Sequence, residues 1–333
     1  MEDKVLYIVI PCYNEEAVLN ETARQLLVKM EMHMKNGLGV GGGGGGGGIS
    51  RNSRVVFVND GSCDRSWEII QELHNLNPIF SGINLSRNRG HQNALLAGLM
   101  TVRSHCDLAI SMDADLQDDI RVIDKMLEAY YEGYDIVYGV RSKRETDTIF
   151  KRFTAEMFYK MMEKVGAETV YNHADCRLMS RRALEGLSEF TEVNLFLRGL
   201  VPMIGYSSVK VYYERNERFA GESKYPLKKM LAFALEGITS LTTKPIKMIG
   251  MVGGLIFGVS IIMLIWSVIG YFNGTTVPGW ASIMVSIWGI GGLLILSIGI
   301  VGEYIGKIYL ETKRRPRYII ESFINVENSD DIE

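Results

Sequence analysis

The chain has 333 residues, 47% hydrophobic and 23% charged, which excludes a disordered polymer and allows a sizeable core. With 36 Lys and Arg against 39 Asp and Glu, the net charge of −3 speaks against nucleic acid as the main partner, because phosphate backbones select basic surfaces. Four scattered cysteines, Cys12, Cys63, Cys106 and Cys176, show no metal-ligand spacing and read as reduced thiols.

Met1-Glu2-Asp3-Lys4 lacks the basic start of a signal peptide and runs directly into a predicted strand, Val5–Ile10. A helix is expected over Glu15–Lys35, where Val18, Leu26, Leu27 and Met30 recur at helical spacing. Strands follow at Arg54–Asn59, Ile79–Leu85, Asp107–Met112 and Asp135–Tyr138, alternating with helices at Ser66–Leu76, His91–Val102 and Ile120–Tyr131. Strands apolar on both faces and interleaved with helices call for a mostly parallel α/β sheet. Gly37, Gly39 and Gly41–Gly48 lie between a helix and a strand, with neither a P-loop nor a dinucleotide fingerprint, and read as a flexible linker or placeholder.

Farther along, Pro226–Thr243 sets Leu227, Met230, Leu231, Ala234, Leu235 and Ile238 at helical spacing beside Lys228 and Lys229. Such a helix fits an anionic membrane surface, and fits packing on the globular domain equally well. Residues 248–302 then hold 55 positions without Asp, Glu, Lys, Arg or His. They divide at the polar Asn273–Gly279 turn into Met248–Phe272 and Trp280–Gly302, 25 and 23 residues. As helices these span about 37 and 35 Å, more than the roughly 30 Å hydrocarbon core. Lys228, Lys229, Lys244 and Lys247 precede them, and Lys307, Lys313, Arg314, Arg315 and Arg317 follow. The positive-inside rule therefore predicts a two-span hairpin with both ends cytoplasmic, and Tyr271, Phe272 and Trp280 as interfacial aromatics. The competing reading is a pair of buried core helices.

Three strand ends carry carboxylates: Glu15 and Glu16 after the first, Asp60 and Asp64 after the second, Asp113, Asp115 and Asp118 after the fourth. In doubly wound sheets these ends lie on one edge, where ligands bind. Like charges gathered there disfavour one another's ionisation unless a divalent cation or a ligand's donors sit among them. Asp113 and Asp115, alternately spaced beyond a strand, suit Mg²⁺ or Mn²⁺ and leave coordination sites for a diphosphate. A lone DxD more often marks a solvated turn; this one gains weight from the two acidic strand ends upstream. Asp60-Gly61-Ser62 also reads as a turn and N-cap.

The segments IPCYNEE, VNDGSCD, SRNRGHQNALLAGL and SMDADLQDD resemble the motifs of family 2 glycosyltransferases with the GT-A fold. YGVRSKR, ADCRLMSR, FLRGL and RFAGESKY, with the paired spans and GEYIGKIYLETKRRPRYII, narrow the resemblance to polyprenyl-phosphate glycosyltransferases similar to dolichol-phosphate mannose synthase. The resemblance covers nearly everything from Val5 to Ser322, apart from the glycine run. It implies a cytoplasmic GT-A catalytic domain over 1–225, a juxtamembrane amphipathic helix over 226–247, a transmembrane hairpin over 248–302 and a cytoplasmic tail over 303–333. It implies that Pro11, Tyr13, Glu15 and Asp60 hold the base and ribose, with Asp113 beside them, and that Asp113, Asp115 and Gln117 hold the metal and diphosphate. Arg141, Lys151, Arg152, Arg218, Ser223 and Lys224 would meet the acceptor phosphate or close over the diphosphate, and Asp175 would act near the acceptor. As a plain helix or turn cap Asp175 would need no such role, and the cations could be solvated surface charge; His91 could act near the diphosphate, though a histidine opening a helix after Gly90 is more often structural.

The implied reaction is inverting transfer of a sugar, from UDP-glucose or UDP-N-acetylglucosamine, to a membrane polyprenyl phosphate, undecaprenyl phosphate in a bacterium. A lipid monophosphate is largely ionised at neutral pH, its second pKa being about 6, so Asp175 is expected to orient more than to abstract a proton. The implied partners are nucleotide sugar, prenyl lipid and membrane, in a homo-oligomer such as a tetramer. Two departures matter: Asn59 stands where many relatives have Asp, and Asp119-Ile120 where relatives often have Pro-Pro, so the next helix has a different start. A processive polysaccharide synthase would share the DxD, but QxxRW is missing and two spans are too few for a polymer channel. An inactive membrane-tethered scaffold would not need the intact DADLQD and RFAGESKY.

Overall fold

The computed structural model describes residues 3–36, 48–141, 173–214, 244–273 and 279–325. In chain order the elements are β1 (Leu6–Cys12), α1 (Leu19–Asn36), β2 (Arg54–Asn59), α2 (Ser66–Leu76), β3 (Phe80–Leu85), α3 (His91–Val102), β4 (Leu108–Ser111), α4 (Val122–Tyr131) and β5 (Ile136–Arg141). There follow β6 (His173–Ser180), α5 (Arg181–Ser188), α6 (Leu197–Met203), β7 (Ser208–Tyr213), the long helices α7 (Lys244–Phe272) and α8 (Trp280–Lys313), and β8 (Ile320–Ile324).

Alternation along each strand builds the layers. On β1, Leu6, Ile8 and Ile10 face a core closed by α1, α2 and α4 through Leu26, Ile70 and Met126. Tyr7 and Val9 face the opposite core, closed by α3, α5 and α6 through Leu96, Leu184 and Leu200. Helices on both faces explain why the strand sequences are continuously apolar. Burying each such side chain contributes about 1.5–3 kcal/mol. Gly98 lets α3 approach the sheet closely: a Cβ there would lie 2.4 Å from Val9 Cγ1 and 2.7 Å from Val58 Cγ2.

The eight strands run β7-β5-β6-β4-β1-β2-β3-β8. β1 to β4 are mutually parallel, and β7 is parallel to β5. β6 is antiparallel to β4 and β5, and β8 is antiparallel to β3. Cys12 stands opposite Asn59, and Val9 opposite Ser111, so β1, β2 and β4 deliver their following loops to one edge. The antiparallel β6 begins at that same edge, which brings Asp175 to Asp113. The expected mostly parallel α/β sheet is therefore present, with β6, β7, β8, α5 and α6 in addition. α4 begins at Val122, two residues later than expected, because Asp119 Oδ1 accepts from the Arg121 N–H at 2.9 Å and holds a turn there.

One segment of the described residues, Gly289–Lys313, is long and apolar enough to cross a membrane, with mean hydropathy 1.7 and 6% burial. Its Leu294, Ile295 and Ile298 are exposed, as are Met251, Leu255, Ile262 and Trp266 on α7, so neither helix is the buried core helix considered above. Within the expected tail, α8 continues unbroken to Lys313 and Ile320–Ile324 joins the sheet. The expected amphipathic helix over 226–243 lies outside the described residues, as does the glycine run apart from Gly48.

Candidate active site

Three elements converge at the common strand edge. His91 opens α3 after Gly90, whose φ of 84° turns the chain out of the β3 loop. Asp113 follows β4, and Asp175 lies near the start of β6. His91 Nε2 is 3.6 Å from Asp113 Oδ1 and 3.6 Å from Asp175 Oδ2. Ligand atoms of these three residues all lie within 4.8 Å of one another, the spacing of a metal site. Asp115 is not among them; its Oδ1 accepts the Gln117 N–H at 3.2 Å, closing a turn, and Gln117 is buried.

The electrostatics divide the carboxylates. Burial pushes the Asp113 carboxyl above its ordinary range; His91 opposes this, while Asp175, Asp118 and Asp115 add to it. Burial would raise Asp175 too, but Arg198 overrides it. Arg198 Nε donates to Oδ1 at 3.1 Å and Nη2 to Oδ2 at 3.0 Å, a two-pronged grip that keeps Asp175 ionised. Asp118 is buried: its Oδ1 accepts from Tyr213 Oη at 2.6 Å and from Arg141 Nε and Nη2 at 3.2 and 3.0 Å, while Oδ2 has no hydrogen-bond partner. Crowded carboxylates, one with an orphaned buried oxygen, beside a single imidazole fit a divalent cation of the Mg²⁺ or Mn²⁺ kind.

The other expected residues fall around this centre. Pro11 is buried in the end of β1 and Tyr13 is exposed just beyond it, with Glu15 partly buried. The Glu15 N–H donates to Ser66 Oγ at 2.9 Å, which starts the turn into α1. Asn14, at φ 55°, interlocks the first two loops: its N–H donates to Ser62 Oγ at 3.0 Å and its Oδ1 accepts from the Cys63 N–H at 2.9 Å. Asp60 is buried, and its two oxygens accept the Arg89 and Gly90 N–H groups at 2.7 and 2.8 Å. Burial raises its carboxyl and these donors oppose the rise. The structure thus puts Asp60 in a clasp between the second loop and the start of α3. Gly61, at φ 63°, makes the same junction possible, because a Cβ would come within 2.5 Å of the Asn88 nitrogen. Arg141 is held by Asp118. Lys151, Arg152, Arg218, Ser223 and Lys224 lie outside the described residues.

Local sequence favours a structural role for His91 over one near the diphosphate; the fold puts Asp113 and Asp175 beside it. One participant, Arg198, is additional. Arg198, within the quoted FLRGL segment, has no acidic neighbour in sequence that would mark its partner.

A family model, Glycosyl transferase family 2, matches residues 7–188. The chain belongs to that family. It is 50% identical over 317 residues to the uncharacterized glycosyltransferase YkoT of Bacillus subtilis, covering 95% of this chain and 91% of the relative. It is 42% identical over 270 residues to the bactoprenol glucosyl transferase of Shigella phage SfX, covering 80% of this chain and 88% of that one. Among solved structures it is similar to mannosyl-3-phosphoglycerate synthase from Rubrobacter xylanophilus, 13% identical with a TM-score of 0.47, covering 74% of this chain and 75% of that one. The chain is thus a glycosyltransferase.

Proposed function

We propose that this glycosyltransferase moves glucose, with inversion, from UDP-glucose to a membrane polyprenyl phosphate, undecaprenyl phosphate in a bacterium. The observation that carries the reading is the meeting of His91, Asp113 and Asp175 at the strand edge, with Arg198 fixing Asp175. The choice of glucose over N-acetylglucosamine and of a prenyl acceptor follows relatives called bactoprenol glucosyl transferases, such as that of Shigella phage SfX.

In this reading Pro11, Tyr13, Glu15 and Asp60 form the nucleotide end of the pocket, Asp60 by holding the loop in place. Asp113 and His91, with Asp115 and Gln117 in the turn beside them, would hold Mg²⁺ or Mn²⁺, which would neutralise charge on the leaving nucleotide. Asp175, kept ionised by Arg198, is a poor proton acceptor and orients the acceptor or sugar. Arg141, with Lys151, Arg152, Arg218, Ser223 and Lys224, supplies positive charge and donors for phosphate. The lipid acceptor already carries its negative charge, so the attacking oxygen needs placement more than deprotonation. α7 and α8 form the two-span hairpin that keeps the pocket at the cytoplasmic headgroup plane, where a prenyl phosphate is confined. Lysines stand at the start of α7 and lysines and arginines at the end of α8 and after it, with none between the two helices, and exposed apolar side chains line both.

The test is transfer of radiolabelled glucose from UDP-glucose to polyprenyl phosphate by membranes carrying the protein. Activity should vanish with EDTA and return with Mn²⁺ or Mg²⁺, and Asp113→Ala should lose at least about a hundredfold. Full transfer by Asp113→Ala in metal-stripped buffer would refute the proposal.

A further inference from the structure

We infer that Glu321, on the strand after the long C-terminal helix, is a positioning residue that sets the polarity of the nucleotide-side loop through two asparagine amides. The inference rests on the proposed placing of that loop at the nucleotide, and deepens it.

The chain of bonds is short. Asn84 Nδ2 donates to Glu321 Oε2 at 2.8 Å, and Asn59 Nδ2 donates to Asn84 Oδ1 at 2.7 Å. Asn59 Oδ1 in turn accepts the Ser62 N–H at 3.2 Å. Its direction is forced. An ionised carboxylate only accepts, so Asn84 must turn its NH₂ toward Glu321 and its oxygen toward Asn59. Asn59 is 3% exposed and cannot turn to water, so its NH₂ faces Asn84 and its oxygen faces the loop. One acidic side chain on β8 thereby fixes an acceptor beneath Ser62. From there the order spreads, because Ser62 Oγ accepts from Asn14 and Asn14 accepts from Cys63. The loops carrying Tyr13, Glu15 and Asp60 are locked by the same set of bonds.

This also gives a reason for Asn at position 59, where the family resemblance leads one to expect Asp. A carboxylate at 59 would oppose the Asn84 oxygen, and turning Asn84 over would oppose that oxygen to Glu321. Either arrangement sets acceptor against acceptor. The amide at 59 and the carboxylate at 321 are one unit.

That unit can be inverted. Glu321→Lys turns Asn84 over, so Asn84 presents NH₂ to position 59; with Asn59→Asp the carboxylate then accepts from both Asn84 and Ser62. The experiment measures amide hydrogen exchange over residues 60–64 and titrates UDP with Mn²⁺, on the full chain in detergent. Glu321→Gln keeps an acceptor and should retain wild-type exchange. Glu321→Lys, an exposed change that leaves the core untouched, and Asn59→Asp should each speed exchange about fivefold and weaken UDP to a similar degree, as loss of one hydrogen bond does. The double variant should recover both. A double variant no better than the worse single variant overturns the relay. Recovery of exchange in a protein that binds no UDP upholds the relay and removes the nucleotide reading instead.

Discussion

Leu116 lies in the DADLQD turn with φ 55°, a left-handed conformation that costs an L-residue about 1–2 kcal/mol. The fold overcomes that cost because Asp115 Oδ1 accepts the Gln117 N–H on one side of it and Asp118 is pinned by Tyr213 and Arg141 on the other. The strain therefore sits between the two ends of the acidic turn, where backbone strain and function often coincide. Leu116→Ile conserves volume, but branching at Cβ fits this backbone poorly. It should cost about 2 kcal/mol and weaken Mn²⁺ binding, read by thermal unfolding with and without the metal; an unchanged melting temperature in both would show the turn to be unstrained. At this scale the sequence shows residue types and misses partnerships. Asp113 announces itself by spacing behind an apolar strand, whereas Arg198 and His91 acquire meaning only when β6 and α3 arrive beside it.

Elements were legible where chemistry and period agree. β2, α2 and α3 have the expected limits, because each apolar run ends in polar or turn-forming residues. β6 was not legible: His173, Asp175 and Arg177 alternate with Ala174, Cys176 and Leu178, but the alternation breaks at Met179-Ser180 and the run has no β-branched or aromatic residue to mark a strand. Its polar members are there to serve the site and the sheet's far edge. At that edge Asp135 joins three strands. Its Oδ1 accepts from Ser180 Oγ at 2.9 Å, and its Oδ2 accepts from Ser207 Oγ at 2.9 Å and from Arg182. Burial alone would raise this carboxyl, but the donors from Arg182, Ser180 and Ser207 hold it below its ordinary range. A depressed folded-state pKa gives stability that is present above the unfolded value, about 4, and is lost as pH falls through the folded value. Asp135→Asn should therefore cost about 1–2 kcal/mol at pH 7, and the two unfolding curves should converge toward pH 3. An equal deficit at both pH values would mean that the charge contributes nothing.

Across the whole molecule, the long apolar run was visible from composition, but its attachment to the catalytic unit was not. α8 passes beyond its apolar stretch and presents Glu311 to a loop more than a hundred residues upstream. The Val193 and Asn194 N–H groups donate to Glu311 at 2.9 and 2.8 Å, and Asn194 Nδ2 does so at 2.7 Å. Three donors meet one carboxylate, and nothing in the local sequence of either partner foretells it. Arg317 Nη1 adds a bond to the Phe190 carbonyl at 3.0 Å, and β8 then pairs with β3. The clamped loop leads directly into α6, whose Leu197 N–H donates to Gln92 Oε1 at 2.9 Å and whose Arg198 grips Asp175. A helix long and apolar enough to cross a membrane thus holds the segment whose Arg198 fixes Asp175. Glu311→Ala leaves those donors without their acceptor, at a cost of about 1–3 kcal/mol to the docked arrangement. Glucose transfer at saturating donor should fall about tenfold while membrane association stays intact, and amide exchange over 190–198 should rise. Glu311→Gln, which retains one acceptor oxygen, should fall between the two. Faster exchange with undiminished turnover would make the clamp a mechanical anchor and sever it from Asp175.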